Sequence, residues 1–209
     1  TSVTHAKTES RPAETTHWVR EIFHFVEPEI LLPSVLLLWL NLGLPAITNF
    51  SILYAKELGI ENFALYFVVI GATSMFGRPL LGRLSDRIGR ARSIAAGFAL
   101  QLTGLVLIAF VSSLSGVIFC GTAYMLGNAI GSSTTLALAV ERANPARRGK
   151  QMATFSVAYP LSYGVGSLVT GSAIDIAGYI GMFLLLAAIQ AAGLFFAYAK
   201  ASGLAPAGR

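Results

Sequence analysis

Gly82-Arg83-Leu84-Ser85-Asp86-Arg87-Ile88-Gly89-Arg90-Ala91-Arg92 is the stretch on which the reading of this chain turns. It sets four arginines, one aspartate and two glycines between two apolar runs, each long enough to cross a bilayer. In that setting it reads as a tight cytoplasmic hairpin of a membrane protein. The remainder of the 209 residues agrees: 55% are hydrophobic and 12% charged, with a mean hydropathy of +0.67, too apolar for an ordinary soluble domain of this size. A net charge of +5 raises the possibility of nucleic acid, but Lys and Arg sit between apolar runs rather than on one polar face, so no nucleic-acid partner is expected. The one cysteine, Cys120, lies inside an apolar run and leaves no disulfide framework within the chain or Cys-rich metal site.

A spanning helix needs about 20 mostly apolar residues. Windows near 30–54, 63–81, 93–111, 114–138, 152–174 and 179–199 meet that length, so the expected fold is an all-α membrane protein with six transmembrane helices. Backbone groups in hydrocarbon find no water, which makes helices the expected state despite Pro33, Pro45 and Pro160. All of the 15 Lys and Arg except Lys56 fall on one side of this arrangement, and an excess of basic residues marks the cytoplasmic side. Both termini are therefore expected in the cytoplasm of a multi-pass plasma-membrane protein, with short external turns at 55–62, Ser112–Ser113 and 175–178. The predicted organisation is a cytoplasmic leader over 1–29, a six-helix bundle over 30–199 and a cytoplasmic tail over 200–209. Within the leader, Trp18, Val19, Ile22, Phe23 and Val26 recur at helical spacing, which fits an interfacial helix or a plain extension of the first span. No signal peptide is evident, and the chain does not begin with Met, so a fragment or processed product is expected. Spans one to three and four to six share one plan, as in transporters built from two inverted three-helix repeats.

Within the opening stretch, topology accounts for the arginines but not for Asp86 or the glycine spacing. Gly82 is expected to allow close backbone approach at a helix end, and Gly89 to take positive φ in the turn. Asp86 can pair with Arg87 or Arg90, or place its charge at the N-terminus of a neighbouring helix.

Polar residues on single faces of the spans mark a possible central cavity. Asn41, Pro45, Thr48 and Asn49 group in the first span, Tyr124, Asn128, Gly131, Ser132 and Thr135 in the fourth, and Ser156, Tyr159 and Tyr163 in the fifth. Interhelical packing explains the small and hydroxyl residues, with Gly127-x-x-x-Gly131 a direct case. For Asn41, Asn49, Tyr124, Asn128, Tyr159 and Tyr163, substrate cavity and packing stand as equal alternatives. Packing is expected for Gln101 and Gln190. No Asp, Glu, Lys or His lies mid-span, and Arg78 sits near the end of the second span where it can snorkel.

Other classes fit poorly. His5, His17 and His24 all precede the first span, which disfavours an intramembrane enzyme. No phosphate-binding loop ending in Lys and Ser or Thr occurs, no charged ring suggests a selective channel, and neither cofactor nor metal is expected.

The spacing Gly82-x-x-x-Asp86-Arg87-x-Gly89-Arg90-x-Arg92 resembles the loop signature between the second and third helices of each half of major facilitator superfamily transporters. Arg148-Gly149-Lys150-Gln151-Met152-Ala153, with Gly164, Gly166, Gly171, Asp175 and Gly178-Tyr179 beyond it, is similar to the fourth-to-sixth helix region of many bacterial members. The resemblance runs from Glu21 to Lys200 and implies half of a twelve-span secondary carrier working by alternating access. Residues 114–138 carry no Arg or Lys, the fifth span lacks the Gly-Pro pair of drug-exporter N-terminal halves, and Phe23 to Glu27 look like a central connection. These features resemble the C-terminal half. The family pattern further implies that Asp86, with Gly82, Arg87, Gly89, Arg90 and Arg92, latches onto a helix end of the other bundle. It also implies a small-molecule substrate, bilayer residence, and a missing N-terminal half or a second copy as partner. Export of small organic molecules or drugs against protons, from a bacterial inner membrane, is the expected activity; an autonomous six-span homodimeric carrier, channel or scaffold is the alternative.

Overall fold

The computed structural model describes residues 28–60 and 63–200, except for the side chains of Pro28, Arg83, Leu84 and Asp86. The interfacial helix expected in the leader and the tail beyond Lys200 lie outside the described residues. All regular structure among the described residues is helical: α1 (Pro28–Asn41), a π-helical turn (Ala46–Phe50), α2 (Ser51–Glu57), α3 (Ala64–Ile88), α4 (Arg90–Ile108), α5 (Leu114–Arg142), a 3₁₀ turn (Pro145–Arg147) and α6 (Arg148–Ala199). Among the described residues five helical stretches are long and apolar enough to cross a membrane: Glu29–Glu57, Ala64–Gly82, Arg90–Ile108, Leu114–Arg142 and Pro145–Ala199. The windows at 152–174 and 179–199 both fall within Arg148–Ala199, which is two helical arms joined across a kink at Gly178. Its 52 residues would rise about 78 Å if straight, more than twice the ~30 Å of a hydrocarbon core. Gly178 interrupts it with φ 68° and ψ −175°, a conformation essentially restricted to glycine.

The external turn expected at 175–178 is thus one residue, Gly178, because Asp175, Ile176 and Ala177 stay helical. The charged hairpin contracts in the same way. α3 continues through Ile88, α4 starts at Arg90, and Gly89 alone departs from helical geometry, with φ 94° and ψ 149°. Gly89 N–H donates to Ser85 C=O (3.2 Å), and Ser93 N–H and Oγ donate to Gly89 C=O (3.0 Å) and Ser85 C=O (3.2 Å). The Ser85 carbonyl thereby accepts from both sides of the turn, one of the end-of-helix groups of α3 that need partners. Gly82 lies inside α3, not at a helix end, and an added Cβ there would only touch Ser133 Cβ at 4.0 Å. The α4–α5 connection is longer than Ser112–Ser113, spanning 109–113 and closed by the Ser113 side chain accepting from Gly116 N–H (3.3 Å).

α4 and α5 pack backbone to backbone. A Cβ on Gly97 would stand 2.9 Å from Gly127 C=O, one on Gly127 2.6 Å from Gly97 C=O, and one on Gly104 2.8 Å from Cys120 C=O. Small residues permit such approach where no hydrophobic effect separates helix from lipid. Around this pair the main core gathers Leu105, Ile108, Val117, Met182, Phe183 and Leu186. α3 lies largely outside it: Leu65, Val68, Met75, Phe76 and Leu80 are exposed, as are Val157, Leu161, Val165 and Leu168 on the first arm of α6.

Candidate functional site

The first span is discontinuous, where the apolar run at 30–54 predicts one helix. α1 ends at Asn41, Leu42 and Gly43 form a turn, and a π-helical turn precedes α2. Pro45 has no N–H to give to the carbonyl four residues back, so the helix ladder fails next to Asn41. From the other side α6 presses against the break. Gly166 lies so close to the Leu42 carbonyl oxygen that a Cβ there would fall inside the 3.0 Å that real Cβ contacts keep.

Backbone carbonyls around the break are taken by side chains from other helices. Leu40 C=O accepts from Gln101 Nε2 of α4 (2.8 Å) and Asn128 Nδ2 of α5 (3.3 Å). Trp39 C=O accepts from Leu42 N–H (3.3 Å) and Gln190 Nε2 of α6 (3.5 Å), and Trp39 Nε1 donates to Ile189 C=O (2.8 Å). Asn128 Nδ2 also donates to Asn41 Oδ1 (3.1 Å), whose own amide donates to Leu37 C=O (2.7 Å). Asn41, Gln101, Asn128 and Gln190 are all buried. The Tyr124 hydroxyl is buried beside Gly43, where an added Cβ would come within 2.7 Å of it, and takes no partner among the described residues.

Past the break the polar groups reach the surface. Asn49 is exposed and donates from Nδ2 to Tyr163 Oη (2.8 Å); Thr48 Oγ1 shares a hydrogen bond with the same oxygen (3.1 Å) and donates to Leu44 C=O (3.0 Å). Tyr163 reaches them because it lies three residues before Gly166, where α6 comes closest to the first span. Ser51 Oγ donates to Ala46 C=O (2.9 Å) and Tyr66 Oη to Ile47 C=O (2.7 Å), which supports the π-helical turn from α3. Tyr159, one turn before Tyr163, is 42% exposed.

The cavity candidates therefore form two layers. Asn41, Tyr124 and Asn128 belong to the buried layer and Asn49, Tyr159 and Tyr163 to the outer one. The single face expected to carry both Asn41 and Asn49 is split by the break at Leu42–Gly43. Among the described residues no three His, Cys, Asp or Glu gather as a metal site.

At the charged end Arg90 forms an ion pair with Glu141 at the end of α5, and Ser85 Oγ shares a short hydrogen bond with Thr134 Oγ1. Arg148 Nη2 donates to Val140 C=O (3.1 Å), while Gln151 accepts from Asn144 N–H (2.6 Å) and donates to Glu29 Oε2 (3.0 Å). Arg87 and Arg92 are exposed; the Asp86 side chain lies outside the described residues. Sequence reasoning missed Glu141, and it expected packing for Gln101 without its bond to Leu40 C=O. Glu141 is the sole acid between Asp86 and Asp175, opposite an arginine-rich turn, and that charge pattern could have identified it.

Long apolar helices, one of them broken and lined by neutral polar groups, define an α-helical polytopic membrane protein. The family model described as Major Facilitator Superfamily matches residues 5–206, and the chain belongs to that superfamily of membrane transporters. No curated protein matches the chain.

Proposed function

We propose that this chain is the C-terminal six-span half of a secondary carrier that works by alternating access. In this reading the arms 148–177 and 179–199 of α6 are the fifth and sixth spans, and the two inverted three-helix repeats meet around the first and fourth. It exports small organic molecules in exchange for protons across a bacterial inner membrane, and its role is transport, not enzymatic conversion. The exposed apolar sides of α3 and the first arm of α6 suit contact with an N-terminal half. The observation that carries the substrate reading is the Thr48–Asn49–Tyr163 cluster, in which exposed Asn49 and half-buried Thr48 and Tyr163 offer hydrogen-bonding groups without charge beside exposed Tyr159. Asn41, Tyr124 and Asn128 back it from the interior. Such a site suits an uncharged or weakly polar organic solute, and the proton-carrying carboxylate then belongs to the other half.

A panel of neutral fluorescent dyes presented to the intact protein in proteoliposomes identifies a transported probe. Tyr163→Phe is then expected to raise its KM about two- to twelve-fold with kcat unchanged, the equivalent of one hydrogen bond of ~0.5–1.5 kcal/mol. An unaltered KM removes Tyr163 from the cavity. For orientation, Lys56→Cys in a Cys120→Ser background is expected to react with an impermeant maleimide in intact cells, and Arg87→Cys only after permeabilisation. The reverse pattern would overturn the cytoplasmic placement of both termini.

A further inference from the structure

We propose that Gln101 and Asn128 form a shared clamp on the Leu40 carbonyl, and that Gln101 thereby acts as a positioning residue for the Thr48–Asn49–Tyr163 cluster. Gln101 belongs to α4, which contributes nothing to that cluster, and its side chain is fully buried. Its Oε1 takes no partner among the described residues. For packing alone an amide is a poor choice, because methionine fills a similar volume without burying an unpaired acceptor. What the amide supplies is the 2.8 Å bond from Nε2 to Leu40 C=O, across 61 residues of sequence.

That carbonyl is the last but one of α1, immediately before the turn at Leu42–Gly43. A helix broken inside a membrane must pass its released carbonyls to other donors, and which carbonyls find donors decides where it breaks. Gln101 and Asn128 converge on Leu40 from two different helices, and Asn128 also holds Asn41 Oδ1. α4 and α5 meet at glycines, so the two donors sit on closely joined supports. The place of the break then sets the path of residues 44–57, and with it the position of Thr48 and Asn49 against Tyr163.

Sharing one acceptor makes a specific prediction. Loss of either amide leaves Leu40 C=O with the other, whereas loss of both orphans a buried carbonyl. Q101M and N128L are therefore expected to act far more than multiplicatively in combination. In the intact protein, spin labels on cysteines replacing Leu31 and Leu53, exposed residues on either side of the break, report its geometry after Cys120→Ser. Each single variant is expected to retain one narrow distance distribution, and Q101M/N128L to gain a second population. A double variant with the wild-type distribution overturns the clamp, as does a Q101M single as broad as the double.

A double variant that fails to accumulate is judged against Q101M/T135V, because Thr135 is equally buried and donates only to Gly131 C=O in its own helix (2.7 Å). Loss of the first with retention of the second supports the shared acceptor; equal loss of both overturns it. The functional arm rests on the cavity reading above. There Q101M alone should change probe KM by about twofold or less and Q101M/N128L by roughly tenfold beyond the product of the two singles, with kcat less affected. A second distance population with unchanged KM would leave the clamp in place and refute the positioning role if Tyr163→Phe raises KM, or the cavity reading if Tyr163→Phe does not; an absent second population refutes the clamp itself.

Discussion

Gly166→Ala is expected to abolish accumulation of folded protein, while Gly164→Ala and Gly171→Ala on the same helix leave it unchanged. The three substitutions share a helix propensity gain of about 0.5–1 kcal/mol and differ only in surroundings. A Cβ at Gly164 or Gly171 meets nothing within 4 Å, whereas at Gly166 it collides with the carbonyl oxygen of Leu42 and approaches Pro45 Cδ at 3.3 Å. The obstacle is backbone, so no side chain can rotate away. Relief requires the first arm of α6 to withdraw from the break, which separates Tyr163 from Thr48 and Asn49. The cost is expected at or above the ~1–3 kcal/mol typical of overpacking. Size-exclusion chromatography of detergent-solubilised, fluorescently tagged protein measures it; a monodisperse Gly166→Ala peak at wild-type height would show that α6 does not approach the first span this closely.

Asp86→Asn should impair transport by up to about 30-fold and leave membrane insertion intact, if the proposed latch contributes the ~2 kcal/mol available to a carboxylate at a partly buried helix end. The amide keeps the shape of the side chain and removes the charge that a helix N-terminus attracts. Its setting is held by the Ser85–Thr134 hydrogen bond and the Arg90–Glu141 ion pair, which tie the end of α3 and the start of α4 to α5. Initial rates of probe exchange, normalised to protein in the membrane, provide the readout. A wild-type rate would reduce Asp86 to local charge balance and leave the glycine spacing around it to turn geometry alone.

The class of fold was legible because hydrocarbon imposes one demand on every spanning backbone, and apolar runs of sufficient length reveal it directly. Junctions were harder to read. The charged stretch at 82–92 and the segment from Asp175 to Gly178 suggested turns of several residues, yet one glycine at positive φ sufficed in each place, since a helix satisfies its own backbone hydrogen bonds whatever the polarity of its side chains. The first span shows the opposite failure. Gly43 and Pro45 were visible signals for a break, but hydropathy averages over a window and cannot register one released carbonyl. Nor can it indicate which distant amide receives that carbonyl, so Gln101 read as packing until its partner at Leu40 was in view. Asn49 and Tyr163 were legible as polar groups in apolar runs; their meeting depends on how closely Gly166 admits the Leu42 carbonyl, a contact between residues 124 positions apart.

Gly97, Gly104 and Gly127 bring α4 and α5 together with no side chain between their backbones at those points. Two rods that slide freely bend twice as hard as one, but rods bonded along their length resist as a composite beam, because bending must then shear the seam between them. Close packing at these glycines leaves little room for the two backbones to slide past one another there. The pair should therefore transmit load as a girder, and the amides of Gln101 and Asn128 are mounted on it like brackets. A first span hung from such a member can tilt with the whole bundle while its own elbow keeps a constant angle.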